Sequence, residues 1–295
     1  NTTRLVITPF KTLSITGDFT YRLYQNRNTS RSSAMNYREY PDGPLLAYDT
    51  GAGMNQLDEV VQTRNYYSAN VYANYDETFG EAHHVSATAG FNYETWSSKN
   101  VSVAGINLSS INLDDLNLAT GSPTEGAYGG GQNEYALMGF FGRLNYDYKG
   151  KYLVEASGRY DGTSRFKRGQ RWGFFPSFSL GWRVSEEAFF DGIRDQFNNL
   201  KLRFSYGQLG NQNVGYYDYI RKISIGSQNY LFGGDKPTTA TISAPVASDL
   251  SWERSIHKNL GVDMSFLNNR LAFSADFYIR DTKDMLTAGI ALPAT

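Results

Sequence analysis

The strongest constraint in this sequence is the alternation of apolar and polar residues in the stretch Lys149–Glu187. Side chains of a β-strand point alternately to its two faces, so residues two apart share a face. Phe178, Leu180 and Trp182 therefore share one face of a predicted strand, and Ser179 lies on the other. The first half of the stretch alternates in the same way. We predict two long strands joined by a basic, glycine-containing loop, each with an apolar and a polar face.

Such strands fit a transmembrane β-barrel, in which one face contacts lipid and the other contacts water or protein. The chain contains 22 Tyr, 18 Phe and 4 Trp. Many of these aromatic residues fall near the ends of predicted strands, where outer-membrane barrels carry interfacial girdles. No segment approaches the roughly 18 consecutive apolar residues of a transmembrane helix. The predicted fold class is therefore all-β, an antiparallel transmembrane β-barrel.

The alternation recurs along the chain. From Thr12 to Gln25 it continues for about 13 residues, which at roughly 3.3 Å each and a tilt of around 40° project to roughly 30 Å. That length crosses an outer-membrane hydrocarbon layer and exceeds a typical sandwich strand. We predict nine full strands and one partial strand at Arg4–Phe10. Because barrels of this kind have even strand numbers and close without an edge, residues 1–295 are expected to be a portion of one larger barrel domain.

Long and short connections alternate between these strands. The predicted long connections are 26–62, 97–133, 161–172 and 210–250, and the predicted short ones are 76–82, 149–151, 186–199 and Asn268–Asn269. We expect an amphipathic helical turn in 186–199, a local strand pair near 219–231 and left-handed residues at the Asn pair. Outer-membrane barrels have long extracellular loops and short periplasmic turns, so the tip Asp161–Trp172 is predicted to lie outside the cell.

Charge and cysteine content exclude several functions. The chain has 28 Lys and Arg against 29 Asp and Glu, a net charge of −1, which gives no general attraction to nucleic acid. It has no cysteine, which excludes a disulfide framework and thiol catalysis. The first residues, NTTRLVITPF, lack the charged and apolar regions of a signal peptide.

Five blocks of sequence carry a resemblance to a known family. They are RYDGTSRF (Arg159–Phe166), GFFPSFSLGWRVSEE (Gly173–Glu187), LKLRFSYGQLGNQ (Leu200–Gln212), LSWERSIHKNLGVDMSFLNNRL (Leu250–Leu271) and FYIRDTKDML (Phe277–Leu286). In this order, and with weaker similarity upstream of Leu137, they resemble barrel segments of SusC/RagA-type TonB-dependent transporters of Bacteroidota.

The resemblance implies a barrel of about 22 strands around an N-terminal plug, energised through TonB and capped by a SusD-like surface lipoprotein that delivers a glycan or a peptide. It also implies an integral, multi-pass position in the outer membrane of a Gram-negative bacterium, in contact with outer-membrane lipid. The chain shows no carboxypeptidase-like extension, TonB box, plug domain or final aromatic-terminated strand. We therefore expect a middle portion of the barrel, in a parent protein that reaches TonB through its plug.

Residues with catalytic or metal-binding chemistry are few. His83, His84 and His257 have no Cys, HExxH or GxSxG pattern with them, so no catalytic site and no enzyme activity are predicted. Asp114–Asp115 could bind calcium in a loop, but the spaced oxygen ligands of an EF-type loop are missing. The sequence therefore predicts no metal site and no cofactor.

Two groups of residues are candidates for binding. Aromatic rings can stack on sugars while neighbouring polar groups bond to hydroxyls, and the candidates for substrate contact in the long loops are Trp96, Tyr128, Tyr216, Tyr217 and Asp218. The candidates for contact with a partner or with lipopolysaccharide phosphate are Arg165, Lys167, Arg168, Arg171 and Trp172. For the basic group, the alternative explanation is a solvated loop tip and interface anchor. For the aromatic group, it is that Tyr is common throughout such barrel walls.

The leading hypothesis is TonB-dependent import of oligosaccharides, or of peptides, together with a SusD-like lipoprotein. An outer-membrane barrel enzyme is one alternative, but it would need a histidine-containing catalytic set at a loop rim. A barrel that serves as a non-transport partner in a secretion or adhesion complex is another. A soluble carbohydrate-binding β-sandwich is a third, against which the long strands and one-sided loop lengths argue.

Overall fold

A computed structural model describes residues 1–33, 35–48, 55–110, 112–122, 127–194, 196–227, 231–234, 236–243 and 249–285 of the chain. The Gly51–Gly53 part of the predicted loop 26–62 lies outside the described residues. The strands are β1 (Thr2–Phe10), β2 (Leu13–Ser32), β3 (Met35–Tyr37), β4 (Leu46–Tyr48), β5 (Gln56–Phe79), β6 (His83–Leu108), β7 (Ala119–Gly121), β8 (Tyr128–Tyr148), β9 (Tyr152–Thr163), β10 (Trp172–Arg183), β11 (Phe197–Asn211), β12 (Ile223–Ser227), β13 (Thr238–Ile242), β14 (Glu253–Phe266) and β15 (Leu271–Lys283).

The long strands form one sheet in which neighbours in sequence are neighbours in space. Their order is β1-β2-β5-β6-β8-β9-β10-β11-β14-β15, and β7 pairs with β6. The pairings from β8 to β15 are antiparallel throughout, as expected for strands joined by hairpins. This order contains the nine full strands and the partial first strand that the sequence predicts, and the all-β antiparallel fold is confirmed. Among the described residues, β1 and β15 are the end strands of this order.

The register places the predicted apolar residues on one face, here called the apolar face. Leu180 lies opposite Val154 on one side and Phe204 on the other. Phe204 lies opposite Leu260, which lies opposite Phe277. Of these, Leu180, Phe204, Leu260 and Phe277 are exposed, with Phe277 at 69%. Since a row of exposed apolar side chains is unfavourable in water but favourable in lipid, this face matches the predicted lipid-facing surface.

The opposite face, here called the polar face, carries the hydrophilic residues. Ser179 lies opposite Glu155 and Ser205, and Lys201 lies opposite Asp263. The period-two assignment made from the sequence is therefore confirmed across β9, β10, β11 and β14.

Several strands are longer than the sequence predicts. β2 continues to Ser32, β5 already begins at Gln56, and β6 continues to Leu108, so the predicted loops 26–62 and 97–133 were wrong at their boundaries. The added part of β2, residues 26–32, has the sequence NRNTSRS and is hydrophilic on both faces. A strand that extends beyond the hydrocarbon layer needs no apolar face, so the alternation of apolar and polar residues is missing there.

Two local predictions also need correction. The amphipathic turn in 186–199 is helical, but it consists of two 3-10 segments, Val184–Glu186 and Ala188–Ile193. Its buried residue Phe190 packs edge to face on Phe197 at 6.3 Å between ring centroids. The local pair near 219–231 was placed wrongly in part, since β12 falls in that range but pairs with β13 further along. No helix in the described part of the chain is long and apolar enough to cross a membrane.

Tight turns contain the left-handed residues they require. Asn268 and Asn269 have φ of 56° and 62°, which confirms the prediction for the β14–β15 turn. In the β8–β9 turn, Lys149 and Gly150 have φ of 53° and 67°. Asn and Gly adopt this conformation at low cost, so these turns fix the hairpin register.

The chain divides into two compact units. The first comprises Asn1, Thr20–Tyr67 and Thr95–Glu134. Leu57, Ala104 and Leu108 are its buried apolar residues. The second comprises Thr2–Phe19, Ser68–Glu94 and Tyr135–Thr295. That the whole chain is a portion of one barrel domain stays a prediction.

Candidate functional site

In the second unit, the β9–β10 connection packs against the segment that leads into β14. Phe166 is 0% exposed, and its ring centroid is 5.7 Å from that of Trp252. Phe175 lies 5.2 Å from Trp252, and both ring pairs meet edge to face, as aromatic quadrupoles favour. Val214 and Leu250 pack against these three residues. This set of five, here called the loop cluster, holds the ends of two connections together.

Hydrogen bonds to backbone carbonyl groups reinforce the loop cluster. Trp252 donates from Nε1 to the carbonyl oxygen of Arg171 at 2.9 Å. Ser251 donates from Oγ to the carbonyl oxygen of Gln170 at 3.4 Å. Arg171 donates from Nε to the carbonyl oxygen of Phe166 at 3.0 Å. The Arg171 carbonyl also accepts from the backbone N–H of Thr163 in β9 at 3.1 Å, so the Trp252 bond is its second. These bonds tie the backbone of the connection to the loop cluster.

Arg165 links β8, the β9–β10 connection and the segment after β11. Its Cζ lies 4.2 Å from the ring centroid of Tyr135 and 5.3 Å from that of Tyr216. Its Nη1 donates to the carbonyl oxygen of Val214 at 3.1 Å. A guanidinium beside two aromatic faces gains cation–π attraction, which desolvation strengthens. The structure thus uses Arg165 to hold the segment after β11 in place.

The other basic-cluster candidates differ in exposure. Lys167 and Arg168 are exposed at the tip of the connection, whereas Arg171 is half-buried. Trp172 is 41% exposed on the apolar face and stacks on Tyr160 with centroids 4.8 Å apart. Only Lys167 and Arg168 of the five therefore present an exposed charge. Their contact with a partner or with lipopolysaccharide phosphate stays a prediction.

Three of the candidate substrate contacts are consecutive and lie after β11. Tyr216 is half-buried beside Arg165, and its ring centroid is 6.1 Å from that of Tyr135. Tyr217 has a φ of 59°, a left-handed conformation that is uncommon for a tyrosine. Asp218 is exposed, with Oδ1 3.9 Å from Lys222 Nζ. The short segment therefore places two rings and one carboxylate at consecutive positions.

The remaining two candidates belong to the first unit. Tyr128, the first residue of β8, is 86% exposed. Trp96 lies within β6 and is half-buried. The candidate substrate residues are thus divided between the two units. Their contact with a substrate stays a prediction.

The two aspartates considered for calcium have other partners in the first unit. Asp114 Oδ1 accepts from Arg31 Nη1 at 2.7 Å. Arg31 also donates from Nε to Asn55 at 3.1 Å. The side chain of Asp115 accepts from the backbone N–H of Asn117 at 2.9 Å and caps a 3-10 turn. In the part of the chain that the structure describes, no group of three or more His, Asp or Glu is arranged to hold a metal.

Each histidine has a polar neighbour. His83 Nδ1 lies 2.8 Å from the Tyr146 hydroxyl, and His84 Nε2 lies 3.2 Å from Asp76. His257 Nε2 lies 3.0 Å from Ser255 Oγ, which also accepts from Arg280 Nε at 3.1 Å. A serine beside a histidine is half of a catalytic set, but an orienting carboxylate is also needed. Within the described residues, the structure gives His257 no carboxylate partner.

A charge network on the polar face is the feature that the sequence did not reveal. Arg203 donates from Nε and Nη2 to the two carboxylate oxygens of Asp263, at 2.7 and 3.0 Å. Its Nη1 lies 3.2 Å from Asp276 Oδ1. Ser274 and Asn259 donate to these carboxylates at 2.7 and 2.9 Å. This bidentate geometry is the strong form of the Arg–carboxylate pair.

A glycine makes room for this network. A Cβ at Gly261 would lie 2.6 Å from Asp276 Oδ1 and 2.8 Å from Arg203 Cζ, so any side chain would displace the pair. Gly261 lies directly opposite Arg203 in the register. The signal in the sequence was therefore a glycine at a polar-face position of β14, whereas its position across from Arg203 is known from the register alone.

The polar face also forms a groove of about 460 Å³. Its polar side chains come from β6, β8, β9, β10 and β11, and they include His84, Asn145, Glu155, Ser179, Lys201 and Arg203. Such a surface suits contact with water or with a hydrophilic protein segment.

At the end of the strands opposite the loop cluster, the carboxylate of Glu187 binds two aromatic residues of the apolar face. Glu187 Oε1 accepts from the Tyr152 hydroxyl at 2.6 Å and from Trp182 Nε1 at 3.2 Å. Lys151 Nζ lies 3.5 Å from Oε2. These hydrogen bonds, Tyr152 first, lower the pKa of Glu187 below its ordinary value of 4.5. Glu187 therefore stays ionised and fixes the two rings at the end of the apolar face.

Comparison with known proteins agrees with this architecture. Residues 3–295 match the family model described as TonB dependent receptor-like, beta-barrel. The β-barrel predicted from the alternating strands is thus confirmed at the level of the family.

Individual relatives are receptors of the same kind. TonB-dependent receptor P26 of Formosa agariphila is 31% identical over 262 residues, which cover 89% of this chain and 25% of the receptor. TonB-dependent receptor SusC of Bacteroides thetaiotaomicron is 38% identical over 157 residues, which cover 52% of this chain and 15% of SusC. The chain therefore spans about a quarter or less of the length of these relatives.

A solved structure shows the same fold. The RagAB peptide transporter superposes with a TM-score of 0.78 at 25% identity, over 97% of this chain and 30% of the transporter chain. The resemblance to SusC/RagA-type transporters is thereby confirmed. Receptors and transporters of this type are not enzymes, in agreement with the prediction made from the sequence.

Proposed function

The chain belongs to the family of TonB-dependent receptor-like β-barrels, and from this we propose that its parent protein imports oligosaccharides or peptides across the outer membrane. One observation carries the proposal: the sheet exposes apolar side chains on one face and lines the other with charged networks. A wall between lipid and an aqueous or protein-filled lumen needs this distribution. Family membership implies the outer-membrane location, and this chain supplies part of the wall.

The proposed partners are TonB, reached through the plug of the parent protein, and a SusD-like surface lipoprotein. The likeness to SusC and to RagAB supports this assignment. Because the RagAB structure is named a peptide transporter, peptides remain a proposed substrate class beside oligosaccharides.

We further propose that the substrate contacts the aromatic residues near the long connections. Tyr128, with 86% of its surface exposed, offers a ring face for stacking on a sugar or a peptide bond. Tyr217 and the exposed Asp218 offer a ring and a hydrogen-bond acceptor side by side. Tyr216 already contacts Arg165 and Trp96 is half-buried, so we expect smaller contributions from these two.

The test is uptake by cells that carry or lack the gene for the full-length parent. Labelled oligosaccharides and labelled peptides are supplied in separate experiments. Each experiment is done in cells that have functional TonB and in cells that lack it. We expect uptake of one pool to fall on deletion and to depend on TonB. Unchanged uptake of both pools on deletion would overturn the proposal, and uptake that persists without TonB would rule out the coupling.

A second arm tests the contact residues. Tyr128→Ala is expected to reduce uptake several-fold while leaving the amount of receptor in the membrane unchanged. Tyr24→Ala is a matched control, because Tyr24 in β2 is also exposed but is not a candidate contact. Equal uptake by the two variants would contradict a role for Tyr128.

A further inference from the structure

Positive charge is distributed unevenly over the apolar face. In the described register of β8, β9, β10, β11, β14 and β15, the only lysine or arginine residues on this face are Arg254, Lys258 and Lys283. Arg254 lies directly opposite Lys283, and Lys258 lies four residues along β14 from Arg254. All three therefore occupy one area, here called the cation patch, at the end of β14 and β15 that adjoins the long connection 212–252.

The cation patch adjoins the continuous apolar surface, and Ile256 and Ile279 lie among its charged residues. The next pair of this face along the strands is Leu260 and Phe277, which are 59% and 69% exposed. Lys258 lies two residues from Leu260, a separation of about 7 Å along a strand. At this distance, the Lys258 charge can contact lipid headgroups while Leu260 and Phe277 contact the acyl chains. The end with long connections corresponds to the outer leaflet.

Two of the three cations are available to a ligand. Arg254 Nη2 lies 2.9 Å from Asp284 Oδ2 and is partly neutralised. Lys258 and Lys283 are exposed, and among the described residues the structure gives them no ion pair. The carboxylates near them are Asp284, Asp281, which lies opposite Ile256, and Asp249, which lines the same cavity as Arg254. Among the described residues only Arg254 is paired with one of them, so Lys258 and Lys283 remain as the cations for an anionic group.

A cavity adjoins the cation patch. It measures about 750 Å³, within the usual range for a bound small molecule, and Arg254 and Asp284 contribute to its wall. Trp172 and Phe174 line the same cavity from β10 and are 41% and 61% exposed. Exposed aromatic rings beside polar groups are suited to a sugar ring.

We propose that Arg254, Lys258 and Lys283 bind the phosphate of a phosphorylated glycolipid in the outer leaflet, with its sugar in the adjoining cavity and its acyl chains over Leu260 and Phe277. The three chemical parts of such a lipid match three adjacent surfaces of the wall. The site is separate from the basic tip with Lys167 and Arg168. It rests on the proposed membrane location of the wall but not on the import of any substrate.

The experiment uses the full-length parent protein purified in detergent, with diphosphorylated lipid A as the probe and its dephosphorylated form as the matched ligand. Binding is measured by native mass spectrometry for the wild type and for Lys258→Gln/Lys283→Gln. A lysine near a charged surface contributes roughly fivefold to affinity, so we expect the double variant to bind about 25-fold more weakly. The dephosphorylated lipid should bind the wild type similarly weakly.

Controls separate this site from general charge effects. Lys11→Gln removes an exposed lysine from the β1–β2 turn, at the short-turn end, and should leave binding unchanged. Lys258→Arg/Lys283→Arg keeps both charges and should retain most of the affinity, which excludes misfolding as the cause of a loss. Millimolar inorganic phosphate should not displace the lipid; displacement would show a site for free phosphate and overturn the lipid assignment. Equal binding by the double variant and the wild type would also overturn the proposal.

Discussion

Trp252 and Arg171 are 81 residues apart in sequence, yet the indole Nε1 of Trp252 donates to the Arg171 carbonyl oxygen at 2.9 Å. Trp252 is only 7% exposed, and its ring also contacts Phe166 and Phe175. One residue thus joins the β9–β10 connection to the start of β14. This single side chain limits the movement of two of the longer connections.

Trp252→Phe should separate the hydrogen bond from the ring packing. The variant keeps an aromatic ring in the loop cluster but loses the N–H donor, so we expect a loss of about 1 kcal/mol in the free energy of unfolding. Trp252→Ala also removes the ring and should cost about 3–5 kcal/mol. Urea denaturation of the detergent-folded parent measures both. The control is Trp172→Phe, because Trp172 lies on the apolar face and stacks without belonging to the cluster; an equal loss there would contradict the special role of Trp252.

Ala156→Arg and Ser157→Arg test the assignment of the two faces. The residues are adjacent in the middle of β9, but Ala156 pairs with Phe178 and Leu144 on the apolar face, whereas Ser157 lies on the polar face. An arginine that faces lipid near the midplane costs about 2–4 kcal/mol, so Ala156→Arg should be destabilising by that amount. We expect Ser157→Arg to cost clearly less. Equilibrium folding into lipid vesicles provides the measurement, and equal costs would show that the faces are misassigned.

Removing Arg203 should expose the electrostatic repulsion between the carboxylates of Asp263 and Asp276. Arg203→Met leaves the carboxylates of Asp263 and Asp276 facing each other without their shared cation, so we expect a loss of about 2 kcal/mol. In Arg203→Met/Asp276→Asn one charge is also removed, and part of the loss should be regained. A double-mutant cycle on thermal or urea unfolding measures the coupling. If Asp276→Asn lowers the free energy of unfolding by the same amount with and without Arg203, the two effects are additive and the network does not act as a unit.

Glu187→Gln should change the pH dependence of stability. Hydrogen bonds from Tyr152 and Trp182 lower the pKa of Glu187 in the folded state, so its contribution is present above the unfolded-state pKa near 4.5. As the pH falls through the lower folded-state pKa, the carboxylate is protonated and this contribution is lost. We therefore expect the wild type to be more stable than the variant at pH 7 and the difference to shrink towards pH 3. Unfolding measured from pH 3 to 8 tests this, with Glu186→Gln as the neighbouring exposed control; a difference independent of pH would show that charge plays no part.

The faces of the strands could be predicted from the sequence more accurately than the strand boundaries. Leu180 and Ser179 were assigned correctly because a lipid-facing strand must alternate, and period two is visible in one strand alone. The extension of β2 to Ser32 was not predictable from alternation, because that part is hydrophilic on both faces. Alternation therefore predicts the part of a strand that crosses the hydrocarbon layer and not the part that extends beyond it.

Contacts between distant segments were also not predictable. Phe166 appeared to be part of a loop tip, and its complete burial depends on Trp252, a partner more than 80 positions away. The pairing of Arg203 with Asp276 depends on the register of β11, β14 and β15 together. Individual strand patterns contain no information on such registers.

The lengths of the connections predict the order in which the strands pair during folding. β8 and β9 are joined by 149–151 and β14 and β15 by 267–270, so each pair can close a hairpin through local contacts. β11 and β14 pair only after 212–252 has closed a far longer loop, which carries a larger entropic cost. Since non-local pairing slows folding, we expect the hairpins to form first and the seam between β11 and β14 to close late. During membrane insertion, we therefore expect the unpaired edges of β11 and β14 to remain exposed longest, where they can pair wrongly or be cleaved by proteases.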